Sequence, residues 1–244
     1  MASSKPTVQT ALILAAGFGR RMENLTKDTP KPLLSVWGKP LIDHILIKLK
    51  AYGVKRVMVN AHYLSEQIVT HIEPWKHHFA DLIILQEPTL LGGGGTILRA
   101  ASMLPDNTPF FTINGDVLWK EREGPTLGYL DATWQAHGQP VLALVRKENA
   151  WGYKGSGDFI LDEAGLVHPK PSKLSEAPYV YSGIQLLTPG HLKEDPVKLT
   201  TIVPLEVYPL WRGLIKRKLL RGCLFPDPWY HVGSKPAYQK IGHL

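Results

Sequence analysis

The sequence contains a single cysteine, Cys223, among its 244 residues. One thiol cannot form an internal disulfide, which favours the reducing cytoplasm as the compartment. No apolar run approaches the roughly 20 residues that span a bilayer, so a membrane is not expected as a partner. The polar first ten residues also lack the apolar core of a signal peptide. We expect residues 1–9 to form a disordered leader.

Two common nucleotide-binding motifs are absent as well. A dinucleotide-binding fingerprint needs a third glycine, where this chain has Met22, and an acid after the next strand, where residues 60–62 are Asn-Ala-His. No Gly-Lys-Ser/Thr follows the glycines near the amino terminus, so the Walker pattern is missing too. No internal repeat occurs, and the C-terminal part lacks the hexapeptide repeats of a β-helix.

Positive charge is in moderate excess, since 28 lysines and arginines against 21 aspartates and glutamates give a formal charge of +7. A basic chain can serve nucleic acid or a polyphosphate substrate. The basic residues are scattered except for Lys216, Arg217, Lys218 and Arg221, which we interpret as a solvated helix face. No nucleic-acid module or basic–aromatic alternation is present, so nucleic acid is not expected as a partner.

A glycine-rich turn near the amino terminus follows an apolar run at residues 11–15, which is typical of a strand buried on both faces. Gly17 and Gly19 permit a tight turn and a close approach of the backbone to a ligand. Arg20 and Arg21 come directly afterwards. Free amides beside two guanidinium groups indicate an anion site suited to a phosphate chain. A plain glycine turn followed by surface arginines is the alternative.

Two further residues suit phosphate chemistry. Lys31 stands between Pro30 and Pro32, which present its ammonium from a stiff segment. Asp116 ends an Asn-Gly-Asp sequence directly after an apolar strand predicted at residues 110–113. Parallel sheets bind ligands at the carboxyl ends of their strands, and a divalent cation that bridges phosphates requires a carboxylate. Asp116 is therefore the best candidate metal ligand, with a turn-forming aspartate as the alternative.

Hydrophobic periodicity predicts alternating strands and helices, and hence a parallel sheet with right-handed crossovers. The first helix follows the turn at residues 38–40 and stops at Gly53, and Ser65 is predicted to cap the second. Predicted strands are residues 11–15, 54–59, 82–85, 110–113, 141–145, 158–161 and 179–187. Residues 229–234 are predicted to form an extended segment that enters a last helix. Further predicted helices are residues 64–72, 96–103, 126–137 and 203–220, the last interrupted near Pro209 and Gly213.

Four consecutive glycines at residues 92–95 lie between an apolar strand and the helix predicted from Thr96. Such a run is costly in backbone entropy, so it is expected where something must approach the backbone closely. Free amides at the start of that helix could face a nucleotide. A flexible linker is the alternative, but the apolar elements on both sides favour a binding loop.

Three ordered strings, LAAGxGxRM at residues 14–22, LT at 25–26 and TPKPL at 29–33, resemble the opening of the sugar-phosphate nucleotidylyltransferases. Further matches at residues 87–95, 114–116 and 182–183 extend the resemblance over nearly the whole chain. It implies a Rossmann-like three-layer α/β/α fold, the nucleotide-diphospho-sugar transferase fold, with a mainly parallel central sheet and a small antiparallel part covering the substrate. It also implies one domain at residues 10–244, with a nucleotide half at about 10–120 and a sugar half at about 121–244.

Enzymes of this family join a nucleoside triphosphate to a sugar 1-phosphate, release pyrophosphate and use Mg²⁺. The short chain without a C-terminal β-helix favours the types that act on N-acetylmuramate, heptose or mannose 1-phosphate. We expect UTP with N-acetylmuramate 1-phosphate or a similar sugar. Guanylyl transfer to mannose or heptose 1-phosphate is the alternative. The oligomeric state, including a homodimer, stays open.

The resemblance also assigns roles to individual residues. Arg21 would hold the β- and γ-phosphates, Lys31 the α-phosphate or the sugar phosphate, and Asp116 the metal. The implied nucleotide-binding set is Leu14, Ala15, Ala16, Gly17, Gly19, Arg20, Arg21, Glu87, Gly92, Gly94 and Gly95. The implied substrate-binding set is Asn114, Asp158, Lys170, Ser182 and Gly183, with Lys170 directed at the sugar phosphate.

At two positions the chain departs from the family pattern. Gly93 replaces a threonine of the glycine-rich loop, and His231 replaces the aspartate that is the second metal ligand. Imidazole is a poor ligand for Mg²⁺. His231 could contact a phosphate, the metal could keep an extra water, or the protein could be a sensor that binds nucleotide without turnover. The presence of Arg21, Lys31 and Asp116 favours the first two explanations together.

Overall fold

The computed structural model describes residues 7–121, 124–193 and 203–242. Its strands are β1 (Thr10–Leu14), β2 (Ser35–Val36), β3 (Lys39–Pro40), β4 (Arg56–Ala61), β5 (Asp81–Gln86), β6 (Phe110–Asn114), β7 (Val117–Trp119), β8 (Val141–Arg146), β9 (Ala150–Trp151), β10 (Phe159–Leu161), β11 (Val167–Pro169), β12 (Tyr179–Leu187), β13 (Arg221–Leu224) and β14 (Trp229–His231). Its α-helices are α1 (Leu41–Tyr52), α2 (Ser65–Ile72), α3 (Gly92–Ala101), α4 (Thr126–His137), α5 (Pro189–Lys193), α6 (Tyr208–Lys216) and α7 (Lys235–Ile241). Short 3₁₀ segments lie at Arg20–Thr26, Lys31–Leu33, Glu73–His78 and Lys147–Asn149.

The central sheet follows the order β5-β4-β1-β6-β12, and β12 is continued by β10 and β11 on one branch and by β8 and β13 on the other. β1 runs parallel to β4 and β6, and β4 runs parallel to β5. β12 runs antiparallel to both β6 and β8. The predicted mainly parallel sheet with an antiparallel part is confirmed.

Helices cover both faces of this sheet, because β1 places apolar side chains on each face. Ala11 and Ile13 are fully buried in a cluster with side chains of α1, α2 and α4. Leu12 is fully buried on the other face, in a cluster with α3 and α6. Continuously apolar strands are stable only between two covering layers. The predicted three-layer arrangement is therefore confirmed, and it leaves the ends of the strands open to ligands.

Several predicted boundaries agree with the structure, and others change. α1 ends where Gly53 adopts a left-handed conformation with φ 100° and its amide bonds back to Leu49 and Lys50. Ser65 is the first residue of α2 and makes no capping hydrogen bond, so it is not the predicted cap. Pro209 lies in the first turn of α6 and does not interrupt it, because residues 203–206 are not helical.

The basic cluster predicted on one helix face is divided between two elements, because α6 ends at Lys216 and a strand begins at Arg221. The Arg217 guanidinium donates to the His191 carbonyl at 2.6 Å. Arg221 donates to the side chain of Gln139 at 2.6 Å. These arginines hold chain segments together, which corrects their interpretation as a solvated helix face. β13 was not predicted, because its four residues form a strand through pairing with β8, which the local sequence does not show.

Up to residue 6, the predicted leader lies outside the described residues. The Thr7 amide donates to the Asp131 carboxylate at 2.9 Å, and Val8 is fully buried. The Gln9 carbonyl accepts a hydrogen bond from the Arg56 amide at 2.9 Å. Residues 7–9 are thus bonded to α4 and to the start of β4, which corrects the predicted disorder at these three positions. No described helix combines the length and apolarity needed to cross a bilayer.

Candidate active site

A cavity of about 460 Å³ opens at the carboxyl ends of β1 and β6. Leu14 and Asn114 end these two strands as register partners, so the loops that follow them meet at one edge of the sheet. The cavity is lined by most of the predicted nucleotide and catalytic residues: Leu14, Ala15, Ala16, Gly17, Gly19, Arg20, Arg21, Lys31, Gly92, Asn114 and Asp116. The tertiary structure therefore brings the phosphate and metal candidates into one space.

The glycine turn after β1 requires a glycine at position 19. Gly19 has φ 64°, and a Cβ there would lie 2.9 Å from Thr26 Cγ2. The Thr26 hydroxyl donates to the Gly19 carbonyl at 3.1 Å and closes the turn. No described acceptor bonds the amides of Gly17, Phe18 or Gly19. Gly17 and Gly19 line the cavity, so unbonded amide donors lie at its edge, as an anion site requires.

Lys31 and Asp116 are in direct contact although 85 positions separate them. Lys31 Nζ lies 2.7 Å from Asp116 Oδ2, and Lys31 is only 9% exposed. Gly115 lets the loop after β6 turn closely, since a Cβ there would lie 2.8 Å from the Leu14 carbonyl oxygen. The ammonium of Lys31, which two prolines were predicted to hold in place, thus contacts Asp116, the predicted metal ligand.

His231 reaches the same group through a second, smaller sheet. β14 pairs antiparallel with β7, with His231 opposite Val117. This pairing places His231 Nε2 4.0 Å from Asp116 Oδ2, which is too long for a hydrogen bond. His231 also lines a cavity of about 190 Å³ that adjoins the first and shares Arg21 and Asp116 with it. The two predicted metal residues are therefore neighbours without being bonded.

The charges of these groups follow from their surroundings. Burial raises the pKa of Asp116, but the Lys31 ammonium, then His231 and Arg21, outweigh burial and hold that pKa below its usual value. Burial lowers the pKa of His231, and Lys31 and Arg21 add to this against the attraction of Asp116. At neutral pH the site holds one carboxylate, a neutral imidazole and three cations including Arg20. This positive balance suits a phosphate chain.

The glycine run has a different cause from the predicted one. α3 begins at Gly92, four residues before the predicted start, and residues 203–207 lie across its first turn. The Leu205 carbonyl accepts the amides of Gly94 at 2.8 Å and Gly95 at 3.1 Å. A Cβ on Gly94 would lie 2.2 Å from the Glu206 carbonyl oxygen. The glycines admit this crossing segment, so the amides of Gly94 and Gly95 are not available to a nucleotide.

Glu87 also has a role other than the predicted one. It is 3% exposed, and its carboxylate accepts hydrogen bonds from Thr96 Oγ1 at 2.5 Å, Asn60 Nδ2 at 2.9 Å and the Leu91 amide at 3.0 Å. Asn60 Oδ1 in turn accepts the Ala15 amide at 2.6 Å. Glu87 therefore fixes the start of α3 and the end of β1 and does not face the cavity. Sequence reasoning missed Asn60, whose one signal is its position near the end of a strand.

The predicted sugar residues are divided among different places. Gly183 lines the cavity of about 190 Å³ beside Asn114 and Asp116. Asp158 and Lys170 line a separate cavity of about 430 Å³. Ser182 is fully buried, and its carbonyl accepts a hydrogen bond from the Trp229 indole at 2.8 Å. Ser182 thus supports the wall of the site and offers no hydroxyl to a ligand.

The fold and the site together define an α/β protein with its anion site at the carboxyl ends of a parallel sheet. The chain belongs to the nucleotidyl transferase family, whose profile matches residues 10–242. The N-acetylmuramate alpha-1-phosphate uridylyltransferase of Caulobacter vibrioides is 33% identical over 231 residues, which cover 93% of each chain. Mannose-1-phosphate guanylyltransferase 1 of Arabidopsis thaliana is 29% identical, and the match spans 93% of this chain and 62% of that relative.

A solved structure shares the same architecture. UDP-glucose pyrophosphorylase complexed with UDP-glucose superposes with a TM-score of 0.75 at 20% identity, over 97% of each chain. The resemblance at this identity concerns the fold. It confirms the predicted fold. The family profile and the 33% identical relative confirm the predicted family and the enzyme class of sugar-1-phosphate nucleotidylyltransferases.

The crossing segment yields a test of stability. Gly94→Ala should lower the free energy of unfolding by about 1–2 kcal/mol, because overpacking costs more than the added helix propensity contributes. Gly17→Ala is the matched control, since no atom lies within 4 Å of its Cβ position, and it should change stability by less than about 0.5 kcal/mol. Urea denaturation followed by tryptophan fluorescence measures both. Equal stability of the two variants would contradict the packing argument.

The contact of Asp116 with Lys31 yields a test that depends on pH. Asp116→Asn should lower the free energy of unfolding at neutral pH by about 1.5–3 kcal/mol, the usual contribution of a hydrogen bond to a charged group. Because the folded-state pKa is lowered, this contribution is complete above the unfolded pKa of about 3.9 and is lost as the pH falls through the folded-state value. Urea titrations should show the difference shrinking below about pH 4. A difference that is constant with pH would refute this account.

Proposed function

We propose that this protein transfers a nucleotidyl group from a nucleoside triphosphate to a sugar 1-phosphate, giving a nucleotide-sugar and pyrophosphate. The observation that carries the proposal is the convergence of Arg21, Lys31 and Asp116 in one cavity at the end of the sheet. Cations and free amides suit a triphosphate, and the carboxylate suits a metal that accompanies it. Membership of the nucleotidyl transferase family supports the same reaction.

The reaction needs no nucleophile from the protein, because the sugar phosphate supplies an oxygen. That oxygen attacks the α-phosphorus in line, and the bond to the departing pyrophosphate breaks. The protein contributes positioning and neutralisation of charge. Arg21 holds the β- and γ-phosphates and the leaving pyrophosphate, and Lys31 holds the α-phosphate or the sugar phosphate. The amides of residues 17–20 hold the triphosphate chain.

Asp116 is the residue that would hold Mg²⁺. Proteins commonly bind this cation with one or two carboxylates together with substrate phosphates, so the donor set fits it. No group of three His, Cys, Asp or Glu side chains gathers within residues 7–121, 124–193 and 203–242. When bound, Mg²⁺ would neutralise negative charge on the substrate phosphates. We assign the neutral imidazole of His231 to a phosphate contact, because imidazole is a poor ligand for Mg²⁺.

UTP and N-acetylmuramate 1-phosphate are the substrates we propose. Their support is the Caulobacter relative, an N-acetylmuramate alpha-1-phosphate uridylyltransferase whose length the match covers to 93%. GTP with mannose 1-phosphate is the alternative, supported by the guanylyltransferase match over a smaller share of that relative. A sensor that binds without turnover is the candidate of another class, and it is supported by His231 at the position of a metal ligand.

A panel of triphosphates and sugar 1-phosphates with Mg²⁺, read out as pyrophosphate release, tests these assignments. We expect release with UTP and N-acetylmuramate 1-phosphate. Release with GTP and mannose 1-phosphate instead would support the proposed reaction but replace the proposed substrates with these two. Nucleotide binding in calorimetry without release from any pair would overturn the transferase and favour the sensor.

Removing either central charge should abolish most turnover. We expect Lys31→Ala and Asp116→Ala each to lose a hundred- to thousandfold in kcat, corresponding to about 2.7–4 kcal/mol of transition-state stabilisation. Lys27→Ala is the matched control, because Lys27 is exposed on the same segment and should retain wild-type turnover. Circular dichroism confirms that the variants fold. Turnover within tenfold of wild type in either variant would refute its assigned role.

A further inference from the structure

The loop after β1 carries one aromatic side chain that the proposed reaction does not use. Every residue from 14 to 21 lines the main cavity, of about 460 Å³, except Phe18. The Phe18 residue is 36% exposed, and it stands between Gly17 and Gly19. Phe18 therefore supplies the only side chain of residues 17–19, and its ring lies outside the cavity that the turn borders.

The Phe18 ring packs against the two aromatic residues that follow β4. Its centroid lies 5.4 Å from that of the His62 ring, with the planes nearly perpendicular, and 5.6 Å from that of the Tyr63 ring. Aromatic pairs at such distances are stabilising beyond the area that they bury. The ring thus attaches the glycine turn to the loop after β4.

Both partners of Phe18 are themselves held by backbone groups. His62 Nδ1 lies 2.6 Å from the Glu87 carbonyl oxygen. The Tyr63 hydroxyl donates to the Lys27 carbonyl at 2.8 Å. Because Lys27 belongs to the same loop as Phe18, Tyr63 contacts this loop at two points. These contacts limit the positions that the Phe18 ring can adopt.

The Arg20 guanidinium lies over the face of this ring. Its Cζ is 5.2 Å from the Phe18 centroid, within the range of a cation–π interaction. No residue in the described part of the chain forms a hydrogen bond or an ion pair with the Arg20 side chain. An arginine in solvent has many rotamers, and stacking on an aromatic face favours one of them. The ring therefore gives the guanidinium a preferred position.

That position is at the rim of the main cavity, because Arg20 is exposed and also lines the cavity beside Arg21. A guanidinium presents its donors in a planar fork that matches phosphate oxygens. The proposed reaction uses the Arg20 amide and gives its side chain no role. The rim is where the outer phosphates of a bound triphosphate meet solvent, so the Arg20 side chain is placed to bind them.

We propose that Phe18 is a positioning residue, whose ring holds the Arg20 guanidinium at the rim of the main cavity, where Arg20 joins Arg21 on the outer phosphates of the triphosphate. The inference rests on the proposed function and adds two side chains to it. Phe18 acts through Arg20 and touches no substrate. Its contribution is preorganisation, because a side chain that is already held loses less freedom when the ligand binds.

A double-mutant cycle of Phe18 and Arg20 tests the proposal, with the KM for the preferred triphosphate as the readout. Phe18→Leu keeps an apolar side chain beside His62 and Tyr63 but removes the aromatic face. It should raise this KM about two- to fivefold, as expected for an exposed cation–π contact, and leave the KM for the sugar 1-phosphate unchanged. Arg20→Ala should raise the triphosphate KM about tenfold or more. Adding Phe18→Leu to Arg20→Ala should then have no further effect.

Two controls show whether the effect belongs to the ring and to Arg20. Phe18→Tyr retains the aromatic face and should keep the wild-type KM. Lys27→Ala removes a cation from the same loop, and Lys27 does not line the main cavity, so Phe18→Leu should keep its full effect in that background. An equal effect of Phe18→Leu with and without Arg20 would leave Phe18 a packing role alone and overturn the proposal.

The outcomes separate this inference from the reaction itself. An unchanged triphosphate KM in Phe18→Leu would overturn the role of the ring and leave the transferase standing. Absence of pyrophosphate with every pair of substrates would overturn the transferase. In that case calorimetry with UTP and with GTP decides the inference, which requires binding that weakens about two- to fivefold in Phe18→Leu, and only while Arg20 is present. No binding of either triphosphate by the wild type would overturn the inference as well.

Discussion

The contact between Lys31 and Asp116 is the interaction on which the whole site depends. A lysine that is 9% exposed is stable as a cation only with a partner, and the carboxylate at the end of β6 supplies one at 2.7 Å. The contact joins the segment after the glycine turn to the end of a neighbouring strand. Lys31 also keeps Asp116 ionised, so the same pair provides a ready carboxylate for a metal. Substrate phosphates can replace Asp116 as the counter-charge of Lys31.

The site needs both halves of the chain. Glu206, Val207 and Gly233 line the main cavity together with the amino-terminal residues. The crossing segment at residues 203–207 also satisfies the amides of Gly94 and Gly95 at the start of α3. The wall beside the glycine run is therefore built by chain that lies more than a hundred positions away. The crossing segment thus joins the start of α3 to α6, which begins at Tyr208.

Three cavities share lining residues and differ in their chemistry. Arg21 is shared by the main cavity and the smaller one next to Asp116, and Tyr181 is shared by the smaller one and the cavity that Asp158 and Lys170 line. Cations and free amides dominate one end, and aromatic rings with Lys170 dominate the other. A nucleotide-sugar has the same order of groups, from a charged diphosphate to a sugar with its substituents. This order of groups supports the proposed function.

Local periodicity, turn chemistry and spacing in the sequence predict most strands of the central sheet, the glycine turn, and the candidate residues Arg20, Arg21, Lys31 and Asp116 that line the main cavity. The errors at Glu87 and Gly94 arise because a buried carboxylate and a run of glycines look the same in a sequence whether a ligand or another part of the protein approaches them. Thr96, Asn60 and Leu91 bond to Glu87, and the backbone of residues 205 and 206 lies against Gly94. Tertiary structure alone decided which neighbours came close, since pairing of strands and crossing of segments depends on residues far apart in the chain. It likewise placed His231 beside Asp116 and Lys170 away from it.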